Sequence, residues 1–570
     1  MARAWPAAQK FPRKTLGDGV TTARYDPHTF LMWHRKASLR PAQRFGLKAY
    51  YGMNHRKPRA GLVIDLEARD APLDLVTAFH EKVHWIQYCA TSIGCLLTAI
   101  RLFQHLWVRL ELPEVPARIR AQLFDWRRSG RSIFMIDGNN GVVRDHLPEV
   151  GREFAETWWE YQVAFDVLGG DLASTELKGH DLSTVLGRVL GFIAHSALGL
   201  KAADTEALFA LMDAFGTAQW NNLHTAECGL TTRDLFEAGA VVHELTALAM
   251  GIIIGIDDAE ILGRLRERET QIGHHPYFEA VRIFCRYAGI DNLQRVVLAD
   301  PLRRAFHAVV DLALNPPVPP FVSFELLDQV LKRPGGAFSL KQLYPPLRFH
   351  TLCGGIKALG KGACPVDDAQ TAEFERKLCS LTGVIVPPRW SEGPWPGWQA
   401  FDLTELEDDQ KALERLRLID YFCVVHKELW QLRRSHPGFS SCYLEAVDLD
   451  KDPETSHQLL LERHGAVIQP LHQIGRWLKK DYTMLPTPGL ENLQMYLLAK
   501  SAFEYLLRDI FGDSGLLSLV GYPPSIRTNE NLQSLLLKEY DHWFGDGLEF
   551  AGEDKQPRGE SDSKVYVKLW

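Results

Sequence analysis

The sequence predicts a predominantly helical α+β protein. Three observations point there. From Glu149 to Ile290, and again after Phe401, apolar and charged residues alternate at helical spacing. Only two stretches read as β: the apolar GLVIDLE (Gly61 to Glu67), and RSIFMIDGNNGVV (Arg131 to Val143), where Asp137 to Gly141 supplies a tight hairpin turn. The composition, 46% hydrophobic and 24% charged over 570 residues, is that of a globular chain with room for more than one domain.

The elements that matter can be taken in order. ARDAP ends the first strand after Glu67. Asp70 and Asp74 offer caps and Pro72 suits a first turn, so a helix is expected from about Leu73 to Thr91. A second helix is expected over about 234–250 in LTTRDLFEAGAVVHELTALAMG. Thr231 and Asp234 there resemble a capping box, with Asp in place of the usual Glu or Gln. The apolar run from Gly239 to Ile256 has nearly the length of a membrane span. Glu237 and the capped start instead read as a buried helix of a soluble protein. Proline marks the joints: LNPPVPPF (Leu314 to Phe321) and VIVPPRWSEGPWPGW (Val384 to Trp398) cannot continue a helix and read as linkers or surface loops. The expected division is a first region over 1–313, a Pro/Gly-rich connecting region over 314–400, a helical region over 401–550 and a polar, largely disordered tail over 551–570.

Charge and composition remove several classes. A net charge of -7 leaves no basic field to hold nucleic acid, and Arg127, Arg128 and Arg131 form only a local cluster suited to a solvated loop. The N-terminal MARAWPAAQKFPRKTLGDG lacks the apolar core of a secretory signal. Nine scattered cysteines with no C-x-x-C pair fit reduced thiols better than a disulfide framework. The expectation is a cytoplasmic protein with no membrane and no nucleic-acid partner.

Within TAFHEKVHWIQYCATSIG (Thr77 to Gly94), His80, Glu81 and His84 spell H-E-x-x-H. At this chain's His and Glu frequencies roughly 0.05 such matches arise by chance, so the surroundings must decide. Residues four apart share a helix face, so His80 and His84 can offer imidazole nitrogens to one metal ion. Glu81 lies beside that face, where its carboxylate can take a proton from a water that zinc has acidified toward a pKa of about 7. Leu75, Val76, Phe79, Val83 and Ile86 supply apolar packing, and only Asp74, Glu81 and Lys82 break the apolar background, which is unlike a surface helix.

A catalytic zinc needs a third protein ligand. A metzincin-type continuation would place Gly and His where this chain has Gln87 and Ala90, and the reversed H-x-x-E-H order is absent. Glu237 is the best candidate. It sits one turn into a capped helix whose Gly239 and Ala240 permit close approach, and a carboxylate among such apolar neighbours is costly unless paired or bound to metal. Two local rivals are His105 and Glu111, 21 and 27 residues after His84. RLFQHLWVRLELPEVP lacks small residues, however, and ends at proline.

H-E-x-x-H followed by a helical E-x-x-A, with a further acid one or two turns on, resembles the gluzincin-type zinc metallopeptidases of the zincin superfamily. The resemblance implies a zincin-like catalytic region within 1–313. It implies zinc held by His80, His84 and Glu237, Glu81 as general base, and a protein or peptide substrate. Glu244 would orient a zinc histidine from behind. The chain departs from that family in spacing: 152 residues lie between His84 and Glu237, far more than is usual there. Peptidases of this kind commonly use a Tyr, His or Arg to hold the oxyanion, and HHPYFEA (His274 to Ala280) offers Tyr277 or His275. The helical 401–550 region is a candidate surface for a protein partner.

Weaker patterns support other readings. GIKALGKG (Gly355 to Gly362) approximates a phosphate-binding loop but lacks the following Ser or Thr and leads into ACPVDD. No G-x-S-x-G elbow occurs. E-x-x-H at Glu81/His84, Glu454/His457 and Glu539/His542 allows a helical di-iron carboxylate protein. A non-catalytic interaction protein stabilised by a metal is the remaining alternative.

Overall fold

The structure, a computed structural model, describes residues 23–26, 31–35, 80, 83–111, 135–137, 141–143, 149–170, 181–201, 203–224, 228–249, 278–291, 294–319, 321–322, 328, 338–385, 471–475, 482–484, 548–551 and 565–568. These residues are predominantly helical, as the sequence predicts. The order begins with strands β1 (Ala23–Asp26) and β2 (Leu31–Arg35), then helices α1 (Val83–Ala90) and α2 (Ser92–Glu111). Strands β3 (Met135–Asp137) and β4 (Gly141–Val143) pair antiparallel, with Met135 opposite Val143, where a hairpin is expected. Ten helices follow: α3 (Glu149–Gly169), α4 (Leu182–Ala197), α5 (Thr205–Gly216), α6 (Thr232–Ala249), α7 (Glu279–Ala288), α8 (Gln294–Leu298), α9 (Asp300–Leu314), α10 (Leu340–Leu343), α11 (Pro345–Leu359) and α12 (Asp368–Thr382). Strands β5 (Leu471–Gly475), β6 (Tyr482–Met484), β7 (Leu548–Ala551) and β8 (Val565–Lys568) complete it. β2 pairs β5 in parallel, β1 and β6 flank them antiparallel, and β7 pairs β8. The strand expected at Gly61 to Glu67, residues 73–79 of the motif helix and most of the 401–570 region lie outside the described residues.

The motif helix ends where the sequence places its end, and side chains explain how. Thr91 Oγ1 donates to the Gln87 carbonyl at 2.7 Å and accepts from the Gly94 N–H at 3.1 Å. The chain turns by 83° between α1 and the first half of α2. Only glycine fits inside this bend, since a Cβ on Gly94 would lie 2.5 Å from Tyr88 Cα. The new helix start is capped from outside. The Ser92 N–H donates to Asn315 Oδ1 at 2.9 Å, and Ser92 Oγ donates to the Pro316 carbonyl at 2.7 Å. These bonds satisfy groups that a helix N-terminus otherwise leaves without partners.

That cap corrects one expectation. The proline-rich stretch after Leu314 is not helical, but it is no surface loop: Asn315, Val318, Phe321 and Val322 are buried. Arg348, fully buried in α11, holds its start. Its Nε donates to the Ala313 carbonyl at 3.3 Å and its Nη2 to those of Leu312 and Asn315 at 2.8 and 3.0 Å. Its Nη1 reaches Gln342 and Ile385 carbonyls at 2.8 and 3.0 Å. A cation on the last carbonyls of α9 also opposes the negative end of that helix's dipole. Much of the expected connecting region is therefore helical, and α11 and α12 pack on α9. Gly355 to Leu359 form the end of α11, which is not the strand, loop and helix of a phosphate-binding loop.

α6 is the central helix. Thr231 and Asp234 form the expected reciprocal cap, with the Thr231 N–H on Asp234 Oδ2 at 2.7 Å and the Asp234 N–H on Thr231 Oγ1 at 3.2 Å. Leu235, Phe236, Ala238, Ala240, Val241, Val242 and Leu245 are all buried, so apolar burial surrounds the helix rather than striping one side. Phe236 stacks on Tyr88 of α1 with ring centroids 4.9 Å apart, and His243 stacks on His307 of α9 at 3.8 Å. A second buried polar joint ties α2 to α3. Arg101 Nη1 donates to Gln104 and Gln162, both at 2.6 Å, and Gln162 Nε2 donates to Asp166. No single described helix is long and apolar enough to cross a membrane. All seven described cysteines are free thiols.

Candidate metal centre

The i, i+4 spacing does what helix geometry requires. His80 and His84 meet edge to face one turn apart, with ring centroids 4.7 Å apart and planes at 84°. Their Nε2 atoms meet at 3.0 Å. α6 delivers Glu237 to the same point: its Oε2 lies 3.3 Å from His80 Nε2 and 3.1 Å from His84 Nε2. Two zinc ligands at tetrahedral angles and bond lengths near 2.0–2.1 Å stand about 3.3 Å apart. The three edges of this triangle match that spacing. The group is the one cluster of His, Cys, Asp and Glu among the described residues with the geometry to hold a metal ion.

Both rings are also contacted from behind. His80 Nδ1 lies 3.0 Å from Glu244 Oε2. A carboxylate only accepts, so an ionised Glu244 at this distance favours a proton on His80 Nδ1. His84 Nδ1 lies 3.0 Å from Gln87 Oε1, and Gln87 Nε2 donates to the Phe236 carbonyl at 3.1 Å. That carbonyl cannot donate, so the amide nitrogen must face it, leaving the amide oxygen for His84 and the proton on His84 Nδ1. Both rings therefore turn Nε2 toward Glu237 Oε2.

Two ring nitrogens and one carboxylate oxygen within 3.3 Å, on side chains only 10 to 13% exposed, need a proton or a cation between them. A proton on one Nε2 satisfies one contact at a time, whereas a divalent ion satisfies all three. Burial by itself would raise the Glu237 carboxyl. The charge on His84 and the hydrogen bonds from His80 and His84 outweigh it and hold the group well below the usual carboxylate range. Its other oxygen, Oε1, faces Arg233 Nε at 3.6 Å one turn back on α6. Glu237 thus presents one oxygen to the imidazoles.

The structure brings His80, His84 and Glu237 together across 153 residues of sequence. Glu81, Tyr277 and His275 lie outside the described residues. So do Glu454, His457, Glu539 and His542. Of the rival third ligands, Glu111 ends α2, which leaves the motif helix at a steep angle and carries that residue roughly 28 Å from Ser92 at 1.5 Å per residue. His105 lies on the same departing helix. Glu244 occupies the orienting position that its place two turns beyond Glu237 suggests. Gln87 and Arg233 are additional. Gln87 was legible as an i+3 neighbour of His84, and Arg233 as an i−4 neighbour of Glu237.

Comparison of the chain with protein-family models, curated proteins and solved structures finds no match.

Proposed function

We propose that this chain is a zinc-dependent metallopeptidase, built on a zincin-like pair of helices. One observation carries the reading: two imidazole nitrogens and one carboxylate oxygen converge within 3.3 Å, in the H-E-x-x-H plus distant Glu order of the gluzincin-type enzymes. His80, His84 and Glu237 would hold the ion, with Glu244 and Gln87 holding the two rings. A zinc ion held there would supply Lewis acidity toward water and a carbonyl oxygen. Glu81, next in sequence to His80, is the general base that accepts the proton from the attacking water and passes it to the leaving amine.

Three protein ligands fit a catalytic site, which keeps a position open, better than a structural one, which closes with four. The ligands also join two separate helices, and that favours a second reading in which the metal only stabilises a non-catalytic interaction protein. Glu81→Gln separates the two. In the first reading it keeps the metal and abolishes cleavage, seen as loss of wild-type-dependent fragments in a cellular proteome comparison. In the second, wild type and variant give identical proteomes.

A further inference from the structure

Gln87 stands three residues after His84, where its amide does two things at once. Its oxygen accepts the His84 Nδ1 proton at 3.0 Å, and its nitrogen donates to the Phe236 carbonyl at 3.1 Å. Phe236 immediately precedes Glu237, so the contact ties the second histidine's own helix to the backbone that carries the third ligand. The amide is 3% exposed and lies against Gly239, where a Cβ would come within 2.6 Å of Gln87 Nε2. The hollow left by that missing side chain is the room the amide occupies.

We infer that Gln87 is a positioning residue of the metal centre, which extends the working motif to H-E-x-x-H-x-x-Q. It holds His84 in the Nδ1–H form, aims Nε2 at the ion, and makes the docking of α6 a condition of that form. The two rings are held differently: His80 by a carboxylate, His84 by a neutral amide. Glu244 and Glu237 already bring two negative charges to the ion, and a neutral partner behind His84 avoids a third. The backing group of a metal-bound imidazole fixes its tautomer and orientation, and its loss typically weakens metal binding by about 10- to 100-fold.

This inference rests on the metal reading above, but its first readout needs no metal. Metal-free protein labelled with nitrogen-15 histidine reports each ring's tautomer by NMR, with His84 assigned by the peaks lost in His84→Ala. Wild type should show His84 protonated on Nδ1. Gln87→Met keeps the length and removes both hydrogen bonds, so the Nε2–H form should appear and zinc affinity, measured by chelator competition, should fall about 10- to 100-fold. Gln87→Glu keeps an acceptor for Nδ1–H and loses the donor to Phe236, so it should retain the Nδ1–H form and rescue part of the affinity. Should Gln87→Met fail to fold, the tautomer in wild type and Gln87→Glu decides the matter, and an Nε2–H ring in either overturns the inference. A lower melting temperature in Gln87→Met with unchanged tautomer and unchanged affinity would overturn it too, leaving Gln87 as packing. Absence of zinc uptake by wild type, with the Nδ1–H form intact, overturns the metal reading and with it any role for Gln87 in holding an ion.

Discussion

Glu244 Oε2 lies 3.0 Å from His80 Nδ1, although 164 positions of sequence separate the two residues. Glu244 is 1% exposed, so a carboxyl group is buried in an apolar helix beside one ring. Glu244→Gln keeps an acceptor and removes the charge, whereas Glu244→Leu removes both. Zinc affinity should fall in that order, with the Leu variant down by about 10- to 100-fold in a chelator competition assay. Equal affinities in all three proteins would mean that Glu244 does not support His80.

Gly239→Ala gives a prediction whose sign discriminates. Inside an exposed helix this change stabilises by roughly 1 kcal/mol. Here the new Cβ would sit 2.6 Å from Gln87 Nε2. The amide must move off the Phe236 carbonyl, and zinc affinity should fall by about tenfold with no gain in melting temperature. A more stable variant with wild-type affinity would show that the hollow beside Gln87 is incidental.

Arg348→Met tests the support behind the motif helix. The guanidinium is fully buried and donates to five backbone carbonyls, including those of Leu312, Ala313 and Asn315. Each carbonyl left buried without a donor costs about 1–3 kcal/mol. A loss of about 3 kcal/mol or more is expected, read as a lower denaturation midpoint. Because Asn315 caps the start of α2, zinc affinity should fall as well. A midpoint unchanged from wild type would remove Arg348 from this role.

Acid should weaken the fold through His307. Burial first, then the charges of His243 and Arg303, hold its pKa well below the ordinary value near 6.5. As pH falls below about 6.5 the unfolded chain binds this proton and the folded chain does not. The unfolded state then holds more protons, so stability is present above that pH and declines on acidification, by up to about 1.4 kcal/mol per pH unit. His307→Phe keeps a flat ring against His243 and should flatten this decline, measured as denaturation midpoints from about pH 8 to pH 5.5. An identical slope in the variant would assign the acid loss elsewhere.

Much of the centre was legible because its rules are local. The i, i+4 histidines, the Thr231 and Asp234 cap, and the small Gly239 and Ala240 beside Glu237 all follow from helix geometry and the cost of a buried carboxylate. What was not legible depends on two helices at once. The role of Gln87 requires the hollow at Gly239, which α6 brings from 152 positions away. The proline-rich stretch after Leu314 reads as surface because proline breaks helices. It is buried because Arg348, Asn315 and Ser92 use its backbone groups, a fact of tertiary packing with no periodic signature. The same holds for the stacking of His243 on His307 inside the core, which no local pattern signals.

The central claim is that His80, His84 and Glu237 hold one zinc ion, and metal content tests it most directly. Purified full-length protein, equilibrated at about micromolar free zinc and analysed by mass spectrometry, should carry one zinc per chain. Glu237→Ala should carry far less, and the His80→Ala, His84→Ala double variant essentially none. Binding in wild type should also weaken on acidification, because protons compete with the metal for its ligands. Stoichiometric zinc retained in the double variant, or wild-type protein that takes up none, would contradict the account.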